Sequence, residues 1–298
     1  MNQIMSPQRF SLPGPEMSQA NLVYLCLRRA LSAAVCAGAF SLPLTASAAE
    51  SFSGVYNVSL IGLSLGSATV SGKVTGNEYK IEAYANLSGL ASAVSGAKGS
   101  AVASGAIQNG QVSPAAYATS SSNSKESRTV RIGMAAGAVK AVDIQPPFEQ
   151  MEGRVPLTEA HKRNIIDPLS ALMMPVKAGE ASNGPAVCRR SIPVFDGYTR
   201  FNVDLGYTGT RQVAVQGYNG PVIVCNARYK PVAGHRPGRK ATQFMIDNKD
   251  MEVWLVPLAD GLTMVPYRIA VRTMVGMTVI EARKFNIGHE GSAAAAQR

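Results

Sequence analysis

The sequence predicts a mainly β protein, with one large curled antiparallel sheet of about ten or more strands that forms an open or nearly closed barrel. Two observations support this prediction. Apolar residues alternate with polar ones through most of the chain, as they do on strands with one buried face. The 298 residues also include 28 glycines and 17 prolines, which is typical of a fold with many turns.

The strands are placed by the period-two alternation and by the turns between them. Alternation begins near residue 55 and recurs through "GNEYKIEAYANL", where Tyr79 and Ile81 share one face. In the second half the candidate strands are 191–196, 198–206, 210–218, 221–229, 241–246, 251–257, 263–273 and 276–286. Residue pairs that tolerate positive φ predict hairpin turns at Gly76-Asn77, Asn109-Gly110, Asp196-Gly197, Asn219-Gly220 and Asp260-Gly261. Asp196 and Gly197 are therefore interpreted as a turn, with a catalytic Asp196 as the alternative.

One short helix is predicted near 167–174. Asp167 fits its N-cap, and Pro168 fits the first helical position, where the missing N–H of proline costs nothing. Three apolar residues follow at helical spacing before Pro175 ends the helix. We expect their side chains to plug one end of the sheet: Leu169, Leu172 and Met173.

The first 48 residues match a secretory signal peptide. Arg28 and Arg29 precede an uncharged apolar stretch, and the small residues 46–48 form an A-x-A cleavage site. Because a long segment precedes the two arginines, the start codon is either Met1 or Met17. Cleavage predicts a periplasmic protein with no transmembrane span, a single β-rich domain over 49–287 and a disordered tail over 288–298.

The mature chain is basic. Without residues 1–48 it has 29 − 3 = 26 cations and 19 − 1 = 18 anions, a net charge of +8. The cations are scattered, and no aromatic and basic stacking pattern accompanies them, so nucleic acid is not an expected partner. The densest group is a candidate anion-binding loop, with an ordinary basic surface loop as the alternative: His235, Arg236, Arg239 and Lys240.

The mature chain keeps two cysteines, Cys188 and Cys225, which are predicted to form a disulfide in an oxidising compartment. A redox pair and a metal site are the alternatives. The sequence has no C-x-x-C motif, and its three histidines are far apart, so neither a metal nor a cofactor is expected.

Several segments resemble, in order and spacing, the successive motifs of the DUF3108 family of exported bacterial proteins of unknown function. They are "YNVSLIGLSLGSATV", "IDPLSALM", "VFDGYTRFNV", "CNARYKPVAGHR" and "VWLVPLADGLTMVPYRIAVRTMVGMTVIEARKF". The resemblance covers residues 52–287. It implies a single, mostly β domain located in the cell envelope, and it brings no established catalytic residues.

The favoured functional hypothesis is a non-catalytic binding or carrier module for a lipid-like or cell-envelope component. A curled sheet has a concave face, which offers a site to an apolar or amphipathic ligand. No zinc-protease helix, nucleophile elbow or phosphate-binding loop is found, which weighs against an enzyme. The alternatives are a glycan-acting envelope enzyme that uses Asp196, Asp204 or His235, and a structural partner of an outer-membrane assembly that works through an exposed strand edge.

Overall fold

Alternating apolar residues build long antiparallel strands in the computed structural model, which describes residues 49–87, 97–148 and 152–290. In the third strand, for example, the buried Tyr79 and Ile81 alternate with exposed residues. The first seven strands are β1 (Ala49–Leu60), β2 (Leu63–Thr75), β3 (Glu78–Leu87), β4 (Lys98–Gln108), β5 (Gln111–Ser122), β6 (Ser127–Ala135) and β7 (Ala138–Gln145). The others are β8 (Met174–Pro175), β9 (Arg190–Phe195), β10 (Arg200–Val215), β11 (Tyr218–Ala233), β12 (Met251–Pro257), β13 (Thr263–Thr273) and β14 (Gly276–Glu290).

These strands form one antiparallel sheet, as predicted. The order is β7-β6-β5-β4-β3-β2-β1-β14-β13-β12-β11-β10-β9, and the short β8 pairs with β13. Each half of the chain is therefore a meander, and the first and last strands of the sequence are neighbours in the middle of the sheet. Ala49 is the partner of Glu290, and Leu60 is the partner of Thr278. The sheet does not close through direct pairing of its edge strands β7 and β9.

A crossing segment, residues 152–176, connects the two edges of the sheet. Asn164 donates its backbone N–H to the Gly137 carbonyl in the β6–β7 turn, at 2.6 Å. Ile166 exchanges backbone hydrogen bonds with β9, donating to Pro193 at 2.8 Å and accepting from Phe195 at 2.9 Å. The segment contains 3₁₀ turns at Glu159–Lys162 and Ser170–Leu172. It thereby bridges the gap that the sheet leaves open.

The crossing segment also lies between two hydrophobic clusters. Its residues Ile165, Leu169 and Met173 pack with the first cluster, whereas Met174 and Val176 pack with the second. The first cluster contains large side chains from both halves of the sheet, among them Phe52, Tyr56, Tyr79, Ile81, Tyr117, Ile132 and Phe285. The second is centred on β9 and β11–β13, with Ile192, Val194, Ile223, Cys225, Val253 and Leu255. Side chains thus fill the space between the two halves of the sheet.

The predicted helix near 167–174 is shorter than expected. Its only regular part is the single 3₁₀ turn at Ser170–Leu172, because Met174 and Pro175 become extended and pair with β13 as β8. Residues 49–87, 97–148 and 152–290 also contain two α-helices, α1 (Gly184–Cys188) and α2 (Lys240–Asp247).

Four details of the sequence prediction are wrong. The candidate strands 198–206 and 210–218 form one continuous strand, β10 (Arg200–Val215), because the irregularity between Tyr207 and Gly209 is a bulge and not a turn. Residues 241–246 form α2 instead of a strand, and Ala241, Phe244 and Met245 indeed have the i, i+3, i+4 spacing of a helix. Asn219-Gly220 lies within β11, and the β10–β11 turn is at Gln216 and Gly217, whose φ is +89°. β14 continues to Glu290, past the predicted end of ordered structure at 287. The predicted signal peptide (1–48) and residues 291–298 of the predicted tail lie outside the described residues.

Candidate functional site

The two cysteines of the described residues form the predicted disulfide. Cys188 is the last residue of α1 and Cys225 lies in β11, with their Cα atoms 5.6 Å apart. Both residues are fully buried in the second hydrophobic cluster. The bond therefore links α1, which follows the crossing segment, to strand β11 of the sheet.

Asp196 and Gly197 form the turn between β9 and β10. One carboxylate oxygen of Asp196 accepts the backbone N–H groups of Tyr198, at 3.0 Å, and Thr199, at 2.7 Å. Its other oxygen accepts the Thr199 hydroxyl, and Gly197 supplies a φ of +107°. Since both carboxylate oxygens accept hydrogen bonds within the turn, the Asp196 side chain stabilises the turn itself.

Asp167 supports the start of the 3₁₀ turn through its side chain, although Leu169, and not the predicted Asp167, occupies the N-cap position. Its Oδ1 accepts the backbone N–H groups of Leu169, at 3.0 Å, and Ser170, at 2.8 Å, and Pro168 lies between it and the turn. The residue is fully buried, and its Oδ2 makes no hydrogen bond with the described residues. Desolvation by this burial raises the pKa of Asp167, against the lowering effect of the hydrogen bonds to Ser170 and Leu169. The Ser170 hydroxyl lies 2.7 Å from the Tyr79 hydroxyl, which fixes the turn against β3.

The basic loop lies between β11 and α2. Arg236, Arg239 and Lys240 are exposed, whereas His235 is half-buried and its carbonyl accepts the Val155 N–H of the crossing segment at 2.9 Å. Lys240 begins α2. The anion-binding role of this loop stays a prediction.

Asp204 is engaged by a cation. Its carboxylate lies 2.5 Å from Lys230 Nζ and accepts the Ser191 hydroxyl at 2.5 Å, and both interactions lower the pKa of Asp204. None of the hydrogen bonds seen in residues 49–87, 97–148 and 152–290 joins Asp196, Asp204 and His235. The structure therefore gives no support to a catalytic group built from these three residues.

An open cleft of about 470 Å³ lies at one end of the first half of the sheet. Its walls are mainly apolar, and they come from β1–β3, β14 and the residue before β4: Val58, Ala68, Ala85, Leu87, Ala97 and Ile280. Lys98, Glu126 and Arg128 add charge to its lining. Arg128 pairs with Glu126, and its guanidinium carbon lies 3.9 Å from the centre of the Phe148 ring. Lys98 makes no ion pair with any described residue, so its charge remains available.

A second, polar groove of about 760 Å³ lies on strands β10–β13. Arg268 donates to Glu252, and its Nε lies 3.3 Å from Glu281 Oε2. The guanidinium groups of Arg268 and Arg211 lie 4.8 Å and 5.1 Å from the centre of the Trp254 ring. Because one arginine engages both glutamates, this groove does not present the pair of unengaged acids that a glycosidase requires.

The comparisons with known proteins identify the family. Residues 55–283 match the family described as "Protein of unknown function (DUF3108)". The chain belongs to the DUF3108 family. No curated protein matches this DUF3108 chain. Among solved structures it is similar to the "Beta-barrel-like Protein of Domain of Unknown Function DUF1849 from Brucella abortus", with 9% identity and a TM-score of 0.44 over 80% of this chain and 98% of the other.

The described residues of the DUF3108 protein contain neither a helix that could span a membrane nor a cluster of metal ligands. Within residues 49–87, 97–148 and 152–290, no helix has both the length and the hydropathy of a membrane span. In the same residues, no group of three or more His, Cys, Asp or Glu side chains is placed to hold a metal ion.

Sequence reasoning missed both the cleft and the groove. The apolar wall of the cleft is made largely of alanines from separate strands, whose approach depends on sheet register. The groove had a weak signal: Arg211, Glu252, Arg268 and Glu281 are charged residues within strands, and charges in a strand indicate a solvated face.

Proposed function

We propose that this DUF3108 protein is a binding module for an amphipathic molecule with an apolar chain and an anionic headgroup. The apolar cleft carries the proposal, because its Val, Leu, Ile and Ala walls lie beside a lysine that has no ion-pair partner among the described residues. Its volume of about 470 Å³ falls in the range of small-molecule sites. The proposal places the ligand in this open cleft and not between the two halves of the sheet, where the side chains of the first hydrophobic cluster pack together.

Charge and burial have separate roles in this site. The apolar walls supply the affinity, at about 0.8 kcal/mol for each methylene group removed from water. Lys98 supplies the preference for an anionic headgroup, since its ammonium group lies at the lining of the cleft.

The test uses a series of n-alkyl carboxylates of increasing length, with alkyltrimethylammonium ions of equal length as the charge control. Isothermal titration should show the affinity rising about fourfold for each added methylene, until the chain fills the cleft. Lys98→Ala should weaken carboxylate binding and strengthen or preserve binding of the cationic series, because a positive charge that repels the ammonium headgroup is removed. An affinity that does not depend on chain length would contradict the proposal.

A matched pair of variants locates the site. Ala85→Asp places a charge in the apolar wall and should abolish binding, because the carboxylate must be desolvated there. Tyr84→Asp is the control: it lies next to Ala85 on β3, is 50% exposed and does not line the cleft. If Ala85→Asp bound the alkyl carboxylates as tightly as Tyr84→Asp does, the cleft would not be the binding site.

We also propose that the protein acts in the periplasm. The signal-like segment 1–48 and a disulfide that suits an oxidising compartment support this location. Mass spectrometry of the protein recovered from the periplasmic fraction should find an N-terminus at Ala49. An intact N-terminus in the cytoplasmic fraction would contradict the proposal.

A further inference from the structure

Two neighbouring hairpin turns carry the most exposed large apolar side chains of the described residues. The β1–β2 turn contains Ile61, 67% exposed, and is followed by Leu63, 72% exposed. The β13–β14 turn contains Met274, 58% exposed, and Val275, 68% exposed. Every other exposed large apolar residue of the described chain has at most half of its surface accessible. We call these four residues the apolar tip.

The two turns are held together. β1 and β14 are paired, and the Ile61 N–H donates to the Met277 carbonyl at 2.9 Å. The Ile61 side chain lies so close to Gly276 that a Cβ atom there would be 2.4 Å from Ile61 Cγ1. The two turns, with their four exposed apolar side chains, therefore lie side by side at one end of the sheet.

The backbone at Ile61 shows that this residue is poorly suited to its turn. Ile61 and Gly62 have φ values of +52° and +79°, which define a two-residue turn with two left-handed positions. The β4–β5 turn has the same geometry, with φ values of +52° at Asn109 and +70° at Gly110, and uses the favoured asparagine. A β-branched residue in this region is a genuine outlier that costs stability. The chain thus carries an isoleucine where asparagine would suit the backbone better, and it exposes that isoleucine to solvent.

We propose that the apolar tip inserts into the interfacial region of a phospholipid bilayer and docks the protein on a membrane surface. A projecting pair of linked turns can enter the headgroup and upper acyl region while the sheet remains outside, and the buried apolar area supplies the affinity. Lys249 and Arg272 line the groove that reaches Met277, next to the tip. Arg272 is paired with Asp250, whereas Lys249 has no ion pair with a described residue, so Lys249 is the cation that an anionic headgroup would meet. The net charge of +8 over residues 49–298, from 26 cations and 18 anions, favours a bilayer that contains anionic lipid.

The docking surface is distinct from the apolar cleft. None of the four residues of the apolar tip lines the cleft. The two sites can therefore be tested independently, and the failure of one proposal leaves the other standing.

The test is vesicle sedimentation with the full mature chain. Vesicles of phosphatidylcholine with phosphatidylglycerol should bind the wild-type protein more tightly than vesicles of phosphatidylcholine alone. Ile61→Asn should lower the vesicle partition coefficient about tenfold, because an aliphatic side chain is removed from the bilayer. Val275→Ser should weaken binding in the same direction.

The substitution Ile61→Asn separates docking from folding. Since asparagine suits the left-handed position, this variant should unfold at the same temperature as the wild type or a higher one. Ala136→Asn is the matched control, because Ala136 and Gly137 form the same turn between β6 and β7, with φ values of +51° and +69°. It should leave vesicle binding unchanged, and both variants should keep the alkyl carboxylate affinity of the wild type.

Three outcomes would overturn the proposal. They are a wild-type protein that does not bind vesicles, an Ile61→Asn variant that binds as tightly as the wild type, and an Ile61→Asn variant that is destabilised. The last outcome would mean that Ile61 is kept for its packing against Gly276. If the first outcome is accompanied by a mass change in solution, the protein forms a dimer. The apolar tip would then bind a second copy of the chain and not a bilayer.

Discussion

Removal of the disulfide gives a prediction whose size follows from the structure. The bond closes a loop of 37 residue steps between Cys188 and Cys225. Chain-entropy reasoning assigns about 4 kcal/mol of stabilisation at 25 °C to a loop of this length, because the unfolded chain loses conformational freedom. The double substitution Cys188→Ala with Cys225→Ala should therefore lower the free energy of unfolding by about 4 kcal/mol.

Urea denaturation followed by tryptophan fluorescence measures this loss. Trp254 is the only tryptophan in the chain, and it lies in β12, next to Val253, the pairing partner of Cys225. The reduced wild-type protein is the control, since it breaks the loop without removing side-chain atoms from the core. The free energy of unfolding of the reduced wild type should agree with that of the double alanine variant to within about 1 kcal/mol. This difference is the expected effect of removing two buried sulfur atoms from the core. A reduced protein as stable as the oxidised one would refute the loop-entropy argument.

Two further predictions concern the core and the sheet. Asp167→Asn keeps an oxygen that can accept the backbone hydrogen bonds of the turn but removes the ionisable group. Burial raises the pKa of Asp167 in the folded state. The wild type should therefore lose stability relative to the variant as the pH rises above 3.8, the ordinary pKa of an aspartate. Each pH unit between the unfolded and folded pKa values contributes about 1.4 kcal/mol, and denaturation curves from pH 3 to pH 8 that run parallel for the two proteins would contradict this. Gly66→Ala should destabilise the fold, because its Cβ would lie 2.2 Å from the Asn86 carbonyl oxygen, whereas Gly99→Ala, whose nearest atom would be at 3.4 Å, should be tolerated. Similar melting temperatures for the two alanine variants would show that β2 and β3 can shift apart.

The sequence predicted the sheet well because strand alternation is a local signal. Tyr79 and Ile81 are buried with the predicted period, and the turns at Asn109 and Gly110 and at Asp196 and Gly197 follow from residues that tolerate positive φ. The same rule failed at Asn219, because the β10–β11 turn lies three residues earlier, at Gln216 and Gly217, where glycine also supplies a positive φ. Local preference competes there with packing of the hairpin end against β14, where Gln216 accepts the Phe285 N–H at 2.8 Å.

The candidate sites depend on contacts that no local pattern encodes. The cleft brings Val58, Ala85 and Ile280 together from strands that are far apart in the sequence. The β1–β2 turn was not among the predicted turns, since Ile61 lacks the residue type on which turn prediction relies. The disulfide could be predicted because only two cysteines remain after residue 48, so that counting alone selects the pair.

The pairing of β1 with β14 imposes an order on assembly. While only the first half of the chain is available for folding, β2–β7 can form their hairpins, but the outer side of β1 has no partner until the last described strand arrives. A chain that emerges N-terminus first, from the ribosome or from a membrane pore, therefore carries an unsatisfied strand edge until β14 follows, and such an edge is the kind of surface that aggregates. A chaperone that shields extended segments would have a long-lived target in β1.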